Sequence, residues 1–145
     1  MRFWDSSAIV PLLVGEPLAK ATVSEVQRDP EMIVWWGTPV ECVSASARLE
    51  RESKIDAPSI RTALDRLDAL MRAWHEIQPV ERVRQTANRL LRVHGLRAAD
   101  AFQLGAAIVA SEDRRDSLTM VTLDDHLARA ADREGFKLVL PSSPA

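Results

Sequence analysis

Four acidic residues are spread widely along the chain, and each lies where an apolar run meets the start of a predicted helix. They are Asp5, Glu41, Asp100 and Asp124. If the apolar runs are strands of a parallel sheet, their functional ends point to one edge and the four carboxylates meet there. Such a group repels itself unless a cation lies between its members. Because Mg²⁺ and Mn²⁺ prefer oxygen ligands, the pattern predicts a divalent-metal site.

The chemistry that such a site supports is phosphodiester hydrolysis. A bound metal ion lowers the pKa of water and neutralises charge on the phosphate. Zinc is disfavoured, because His75, His94 and His126 lack the His-x-x-x-His spacing. The sequence has no glycine-rich phosphate loop and no G-x-S-x-G motif. A phosphotransferase with an Asp-x-Asp motif would need an acid where Ser7 stands.

Each acid also has a purely structural interpretation. Asp5 and Asp124 could be N-caps, whose side chains accept hydrogen bonds from free backbone amides. Glu41 fits a capping box with Thr38, which the sequence predicts as an N-cap. Taken one at a time, these acids are therefore explained about as well by capping as by a site.

Asp100 is explained least well by structure alone. Its carboxylate could interact favourably with the positive, N-terminal end of its helix dipole. That helix, however, is apolar nearly all round and is predicted to be buried. A buried carboxylate needs a partner. Either Arg97 or a metal shared with the other three acids could fill that role, and the sequence leaves both open.

Several neighbours could support the site. Ser6 and Thr122, together with Ser7, could orient the carboxylates or bond the waters of a metal, although the serines could equally start a helix. Asp125 either interacts with the helix dipole from the first turn of its helix or supports the metal-binding carboxylates from behind. His126 is predicted to be a surface residue of its helix.

The surrounding elements follow an alternation of short apolar runs and amphipathic stretches, which predicts βαβ units in a three-layer α/β/α sandwich with a mostly parallel sheet. Strands are predicted at 1–4, 32–36, 76–79, 118–122 and 137–140. Helices are predicted at 6–14, 17–28, 39–53, 57–74, 80–94, 97–112 and 125–134. Pro11 is expected to end or kink the first helix, and Gly95 and Gly135 suit left-handed positions after helix ends.

Length and composition indicate a single domain. The 145 residues are 46% hydrophobic and 28% charged, as is ordinary for a globular protein. We expect one domain at 1–140 and a frayed tail at 141–145. The net charge of -2 argues against a strongly electrostatic nucleic-acid binder, but a nuclease remains possible because a metal supplies positive charge locally.

Other features restrict the cellular setting. The lone Cys42 allows no internal disulfide and is expected to be a small buried residue. The four tryptophans are expected in the core or at an interface. No apolar run is long enough for a membrane helix, and the N-terminus does not resemble a signal peptide. A cytoplasmic protein without a membrane partner is therefore expected.

Four segments, in this order and spacing, resemble those of PIN-domain ribonucleases, in particular the VapC-type toxins of bacterial toxin–antitoxin pairs. The segments are Phe3-Trp4-Asp5-Ser6-Ser7-Ala8-Ile9-Val10 with Gly15-Glu16, Pro39-Val40-Glu41, Leu96-Arg97-Ala98-Ala99-Asp100-Ala101, and Val121-Thr122-Leu123-Asp124-Asp125-His126-Leu127 with Ala130-Ala131 and Gly135-Phe136. The resemblance extends from residue 1 to about residue 140.

This resemblance implies an α/β/α sandwich and cleavage of RNA that depends on Mg²⁺ or Mn²⁺. It assigns the catalytic acids to Asp5, Glu41, Asp100 and Asp124, and the metal to Asp5, Asp100 and Asp124. Asp124 is preferred over Asp125 as the fourth acid because it is nearer the strand end. The resemblance also implies a homodimer and a small antitoxin whose tail enters the acidic groove.

The sequence therefore predicts a metal-dependent endoribonuclease that acts as a toxin. The alternative is a non-catalytic PIN-like module that binds RNA or a protein. A nuclease acting on DNA or flaps is a third possibility, although 145 residues leave little room for the extra arches or basic helices that such enzymes carry.

Overall fold

The computed structural model describes residues 1–15, 19–112 and 114–141. In these ranges short strands alternate with α-helices. The strands are β1 (Arg2–Trp4), β2 (Met32–Trp35), β3 (His75–Ile77), β4 (Thr119–Val121) and β5 (Lys137–Val139). The helices are α1 (Ser6–Val14), α2 (Ala19–Arg28), α3 (Thr38–Arg51), α4 (Ala57–Ala73), α5 (Glu81–Val93), α6 (Ala98–Ala110) and α7 (Asp125–Arg133), with a 3₁₀ turn at Arg115–Ser117.

The five strands form one sheet in the order β3-β2-β1-β4-β5, and every pair is parallel. The central strand β1 pairs with β2 on one side and with β4 on the other, where Phe3 is in register with Ile33 and Met120. The strand order therefore reverses between β1 and β4. In parallel sheets the crevice beyond the carboxyl ends of strands at such a switch point is where ligands bind.

Alternation along the strands divides the core into two layers. On one face Phe3, Trp35 and Met120 pack with residues of α5, α6 and α7. On the other face Trp4 and Val34 pack with residues of α1, α3 and α4. Both faces of the sheet are covered, as a parallel sheet requires. The α/β/α sandwich predicted from the sequence is confirmed.

Some predicted details are wrong. Pro11 does not end the first helix, which runs from Ser6 to Val14 as predicted and is closed by Gly15 at a φ of 70°. The alternative, that Pro11 kinks this helix, stays a prediction. Gly135 has the predicted positive φ, but among the described glycines only Gly15 and Gly135 do, so Gly95 does not. The predicted helix start at residues 17 and 18 and the tail at 142–145 lie outside the described residues.

The remaining expectations concern burial. Cys42 is fully buried in the core, as expected. Trp4, Trp35 and Trp74 are buried, whereas Trp36 is half exposed. Among the described residues, no helix combines the length and apolar character needed to cross a bilayer.

Candidate active site

The four predicted acids line one groove of about 560 Å³. Asp5 follows β1 and Asp124 lies between β4 and α7, so these two flank the point where the strand order reverses. Glu41 lies in the first turn of α3, and Asp100 lies in the first turn of α6. Residues up to 119 positions apart in sequence are thus brought to the carboxyl edge of the sheet.

Asp5 is the most deeply buried acid, with 3% of its surface exposed. It caps α1, because its Oδ2 accepts a hydrogen bond from the Ser7 amide at 3.3 Å and its Oδ1 accepts one from the Ser7 hydroxyl at 2.9 Å. Burial raises its pKa to about 7, although hydrogen bonds from Thr122 and Ser7 oppose that rise. Asp5 therefore ionises near neutral pH instead of near its ordinary 3.8.

Ser7 joins the ends of the two central strands. Its hydroxyl donates to Asp5 and accepts a hydrogen bond from the Leu123 amide at 2.9 Å. It also lies 3.3 Å from the hydroxyl of Thr122, which accepts from the Asp124 amide at 3.0 Å. This network fixes the backbone of both acid-bearing strand ends relative to each other.

Glu41 is held by two side chains instead of by a capping box. Its Oε1 accepts from the Ser6 hydroxyl at 3.2 Å, and its Oε2 accepts from Gln103 Nε2 at 2.8 Å. Gln103 also donates to the Thr38 hydroxyl at 3.0 Å. The predicted capping box is wrong, because Gly37 is the N-cap of α3 and makes no side-chain capping bond. Burial raises the pKa of Glu41.

Asp100 and Asp124 interact mainly through their charges. Burial raises the pKa of Asp100, the charge of Asp124 raises it further, and the charges of Arg97 and His126 oppose that rise. The Asp124 carboxylate also caps α7, since its Oδ1 accepts from the Leu127 amide at 3.0 Å. Arg97, one of the two partners that the sequence left open for Asp100, thus favours the charged form of this carboxylate, but burial is the largest influence on its pKa.

Charge repulsion links the four acids in a chain. Asp124 raises the pKa of both Asp5 and Asp100, and Asp100 raises that of Glu41. Each carboxylate therefore lies within electrostatic reach of the next. A bound cation would therefore stabilise this arrangement of acids.

The carboxylate and hydroxyl oxygens that line the groove suit a hydrated hard cation such as Mg²⁺. In the described ranges, no three His, Cys, Asp or Glu side chains are arranged to hold an ion by themselves, so Asp5, Asp100 and Asp124 do not form a closed ligand set. Mg²⁺ usually keeps several waters and takes only one or two carboxylates directly. A groove lined by acidic oxygens and hydroxyls suits that mode of binding.

The predicted supporting residues differ in their positions. Ser6 contacts Glu41 and Thr122 contacts Asp5, whereas Asp125 is exposed on α7 and does not line the groove. His126 is exposed, as predicted, and lines an adjoining pocket of about 330 Å³ with Arg97, Asp100 and Asp124.

Sequence reasoning did not assign a role to Gln103 or to Arg48. Gln103 is fully buried one helical turn after Asp100, and that spacing on an apolar helix was a usable signal. Arg48 lines the groove two turns after Glu41, and nothing in its local sequence distinguishes it from other surface arginines.

The sequence matches no protein-family model and no curated protein. Several solved structures are similar to this chain, and two of them match over nearly its whole length. A chain of the crystal structure of FitAcB from Neisseria gonorrhoeae is 17% identical and superposes with a TM-score of 0.65 over 97% of this chain and 98% of its own length. A chain of FitAB bound to an IR36 DNA fragment is 18% identical. It superposes with a TM-score of 0.66 over 97% of this chain and 95% of its own length. At this identity the similarity shows a shared fold, which agrees with the predicted α/β/α architecture.

Proposed function

We propose that this chain is a metal-dependent endoribonuclease that acts as the toxin of a toxin–antitoxin pair. The observation that carries the proposal is the set of four carboxylates that line one groove at the switch point of a parallel sheet, each of them repelled by at least one other. Three of these acids have raised pKa values, which is characteristic of functional sites. Structural capping alone does not explain four acids in one groove.

The proposed metal is Mg²⁺ or Mn²⁺, held between Asp5, Asp100 and Asp124 in part through its own waters, since the three carboxylates do not form a closed ligand set. When bound, it supplies charge that offsets the phosphate and lowers the pKa of water. The protein's own contribution is to orient the acids. Ser7 and Thr122 fix Asp5, and the Leu127 amide fixes one oxygen of Asp124.

Glu41 is proposed to be the fourth catalytic acid. Ser6 and Gln103 bind one oxygen each, so the carboxylate cannot rotate freely. These donors favour the ionised form against burial, and an ionised Glu41 can accept a proton at the groove wall. Gln103 therefore acts as a positioning residue for Glu41.

The toxin role and its partners are part of the same proposal. The VapC-like segments carry all four acids, and the similar FitAB structure contains a DNA fragment, so a chain of this fold takes part in an assembly with nucleic acid. From the resemblance of these segments we infer an RNA substrate, a cognate antitoxin and a homodimer.

The proposal is tested by inducible expression in a bacterial host. Wild type should arrest growth, and Asp100→Asn should not, because the substitution removes a carboxylate from the groove. Asp125→Asn is the matched control: it changes the neighbouring exposed acid, which does not line the groove, and should arrest growth like wild type. Equal arrest by wild type and Asp100→Asn would favour the alternative of a non-catalytic binding module.

A further inference from the structure

One face of α3 presents a row of groove-lining residues. Glu41, Ser44, Ala45 and Arg48 all line the groove. Their spacing of three, four and seven residues places them on one side of the helix. Since an α-helix rises ~1.5 Å per residue, Arg48 lies about 10 Å along the axis from Glu41. The acidic end of the groove therefore continues into a cationic end.

Arg48 is not neutralised by an acid. Among the described residues it has no ion pair or side-chain hydrogen bond, whereas Arg2 pairs with Glu25 at 2.6 Å and Arg89 with Glu134 at 2.7 Å. The nearby Glu52 is engaged with Lys54 at 3.2 Å. The guanidinium of Arg48 is exposed and remains available to a ligand in the groove.

The second groove-lining guanidinium differs in this respect. Arg97 lines both the groove and the adjoining pocket, and its charge acts on Asp100. The charge of Arg97 is therefore partly balanced by Asp100 within the protein. A polyanion that enters the groove meets four carboxylates, and it needs a cation away from them to be held.

A simpler explanation is that Arg48 stabilises the carboxyl end of α3, where a cation interacts favourably with the helix dipole. Arg51 lies in the same last turn and satisfies that requirement equally well. The dipole does not account for the position of Arg48 in the groove wall. Contact with the ligand does.

We propose that Arg48 binds a phosphate of the RNA strand beside the one that is cleaved, and so sets how the strand lies across the acids. This inference rests on the proposed function. A guanidinium matches two phosphate oxygens at once, which fixes orientation as well as affinity. Because the backbone of Arg48 lies about 10 Å along α3 from that of Glu41, the proposal assigns the contact to a flanking phosphate.

The test measures binding of a labelled single-stranded RNA oligonucleotide at several salt concentrations, in an Asp100→Asn background with Mg²⁺ so that the RNA stays intact. Arg48→Ala should weaken binding about tenfold, and should lower the slope of log affinity against log salt by about 0.7, the value for one phosphate contact on a single strand. Arg48→Lys should keep the slope and recover part of the affinity.

Arg51→Ala is the matched control, since it removes an exposed arginine of the same helical turn that does not line the groove. It should bind RNA like the parent. Equal losses in Arg48→Ala and Arg51→Ala, or no loss in either, would overturn the inference.

A parallel cleavage assay separates the two proposals. If the protein with an intact Asp100 cleaves RNA and Arg48→Ala leaves KM unchanged, the role of Arg48 is wrong and the nuclease function stands. If the parent binds RNA through Arg48 but the intact protein never cleaves it, the catalytic proposal fails and the phosphate contact stands. If the parent binds no RNA, both fail.

Discussion

At the residue scale, Asp5 shows how one carboxylate serves both structure and site. It caps α1 through Ser7, which confirms the capping interpretation, and it also lies in the groove, as the site interpretation requires. The same is true of Asp124, which caps α7. Local sequence predicted these caps because they depend on neighbours. It failed for Glu41, whose partner Gln103 is 62 residues away and is reached only through tertiary packing.

Replacing Asp5 with Asn should change stability in a pH-dependent way. The folded-state pKa of about 7 exceeds the ordinary 3.8, so the folded protein holds a proton that the unfolded chain releases. Stability of the wild type therefore falls as pH rises from about 4 to about 7, and the loss is complete above that range. The Asp5→Asn variant has no carboxyl group at this position, so its stability should not fall for this reason over the same pH range.

The measurement is urea unfolding without divalent metal, at pH 5 and pH 8. Relative to wild type, the variant should gain more stability at pH 8 than at pH 5, by up to about 3 kcal/mol. A constant offset from lost hydrogen bonds would cancel in this difference. If the free energies of unfolding of variant and wild type differ by the same amount at both pH values, Asp5 is not held protonated by burial.

At the element scale, α6 carries Asp100 and Gln103 and must lie close to α5 to place them. Gly105 permits this approach, because an added Cβ would lie 3.2 Å from the Val83 carbonyl oxygen and 3.3 Å from the Ala87 amide. The 3.6-residue period predicted both helices well, since burial of one face determines it. It could not predict which helices touch, nor the strand order, because these depend on contacts between distant segments.

Gly105→Ala should therefore destabilise the protein by about 1 kcal/mol, although alanine is the better helix former. Both contacted groups are backbone atoms, so the helices themselves must separate. Gly105→Val should destabilise the protein more than Gly105→Ala does. Chemical denaturation measures the change, and a Gly105→Ala protein more stable than wild type would show that the two helices can move apart freely.

At the scale of the whole molecule, the order β3-β2-β1-β4-β5 explains why acids far apart in sequence form one groove. The sequence predicted the common edge because all strands in such a sheet share a direction. It could not show that Asp124 and not Asp125 faces the groove, since that depends on how α7 begins. The structure places Asp124 at the N-cap and Asp125 outside the groove.

The groove as a whole is proposed to cleave RNA with a divalent metal. The most direct measurement is the cleavage of single-stranded RNA by the purified chain with Mg²⁺ or Mn²⁺, with Asp100→Asn and Asp125→Asn assayed beside it after cooperative unfolding has shown that both are folded. Wild type and Asp125→Asn should cleave, Asp100→Asn should be at least about a hundredfold slower, and chelation of the metal should stop the reaction. Cleavage by Asp100→Asn at the wild-type rate, cleavage that persists under chelation, or intact RNA after incubation with wild type would contradict the account.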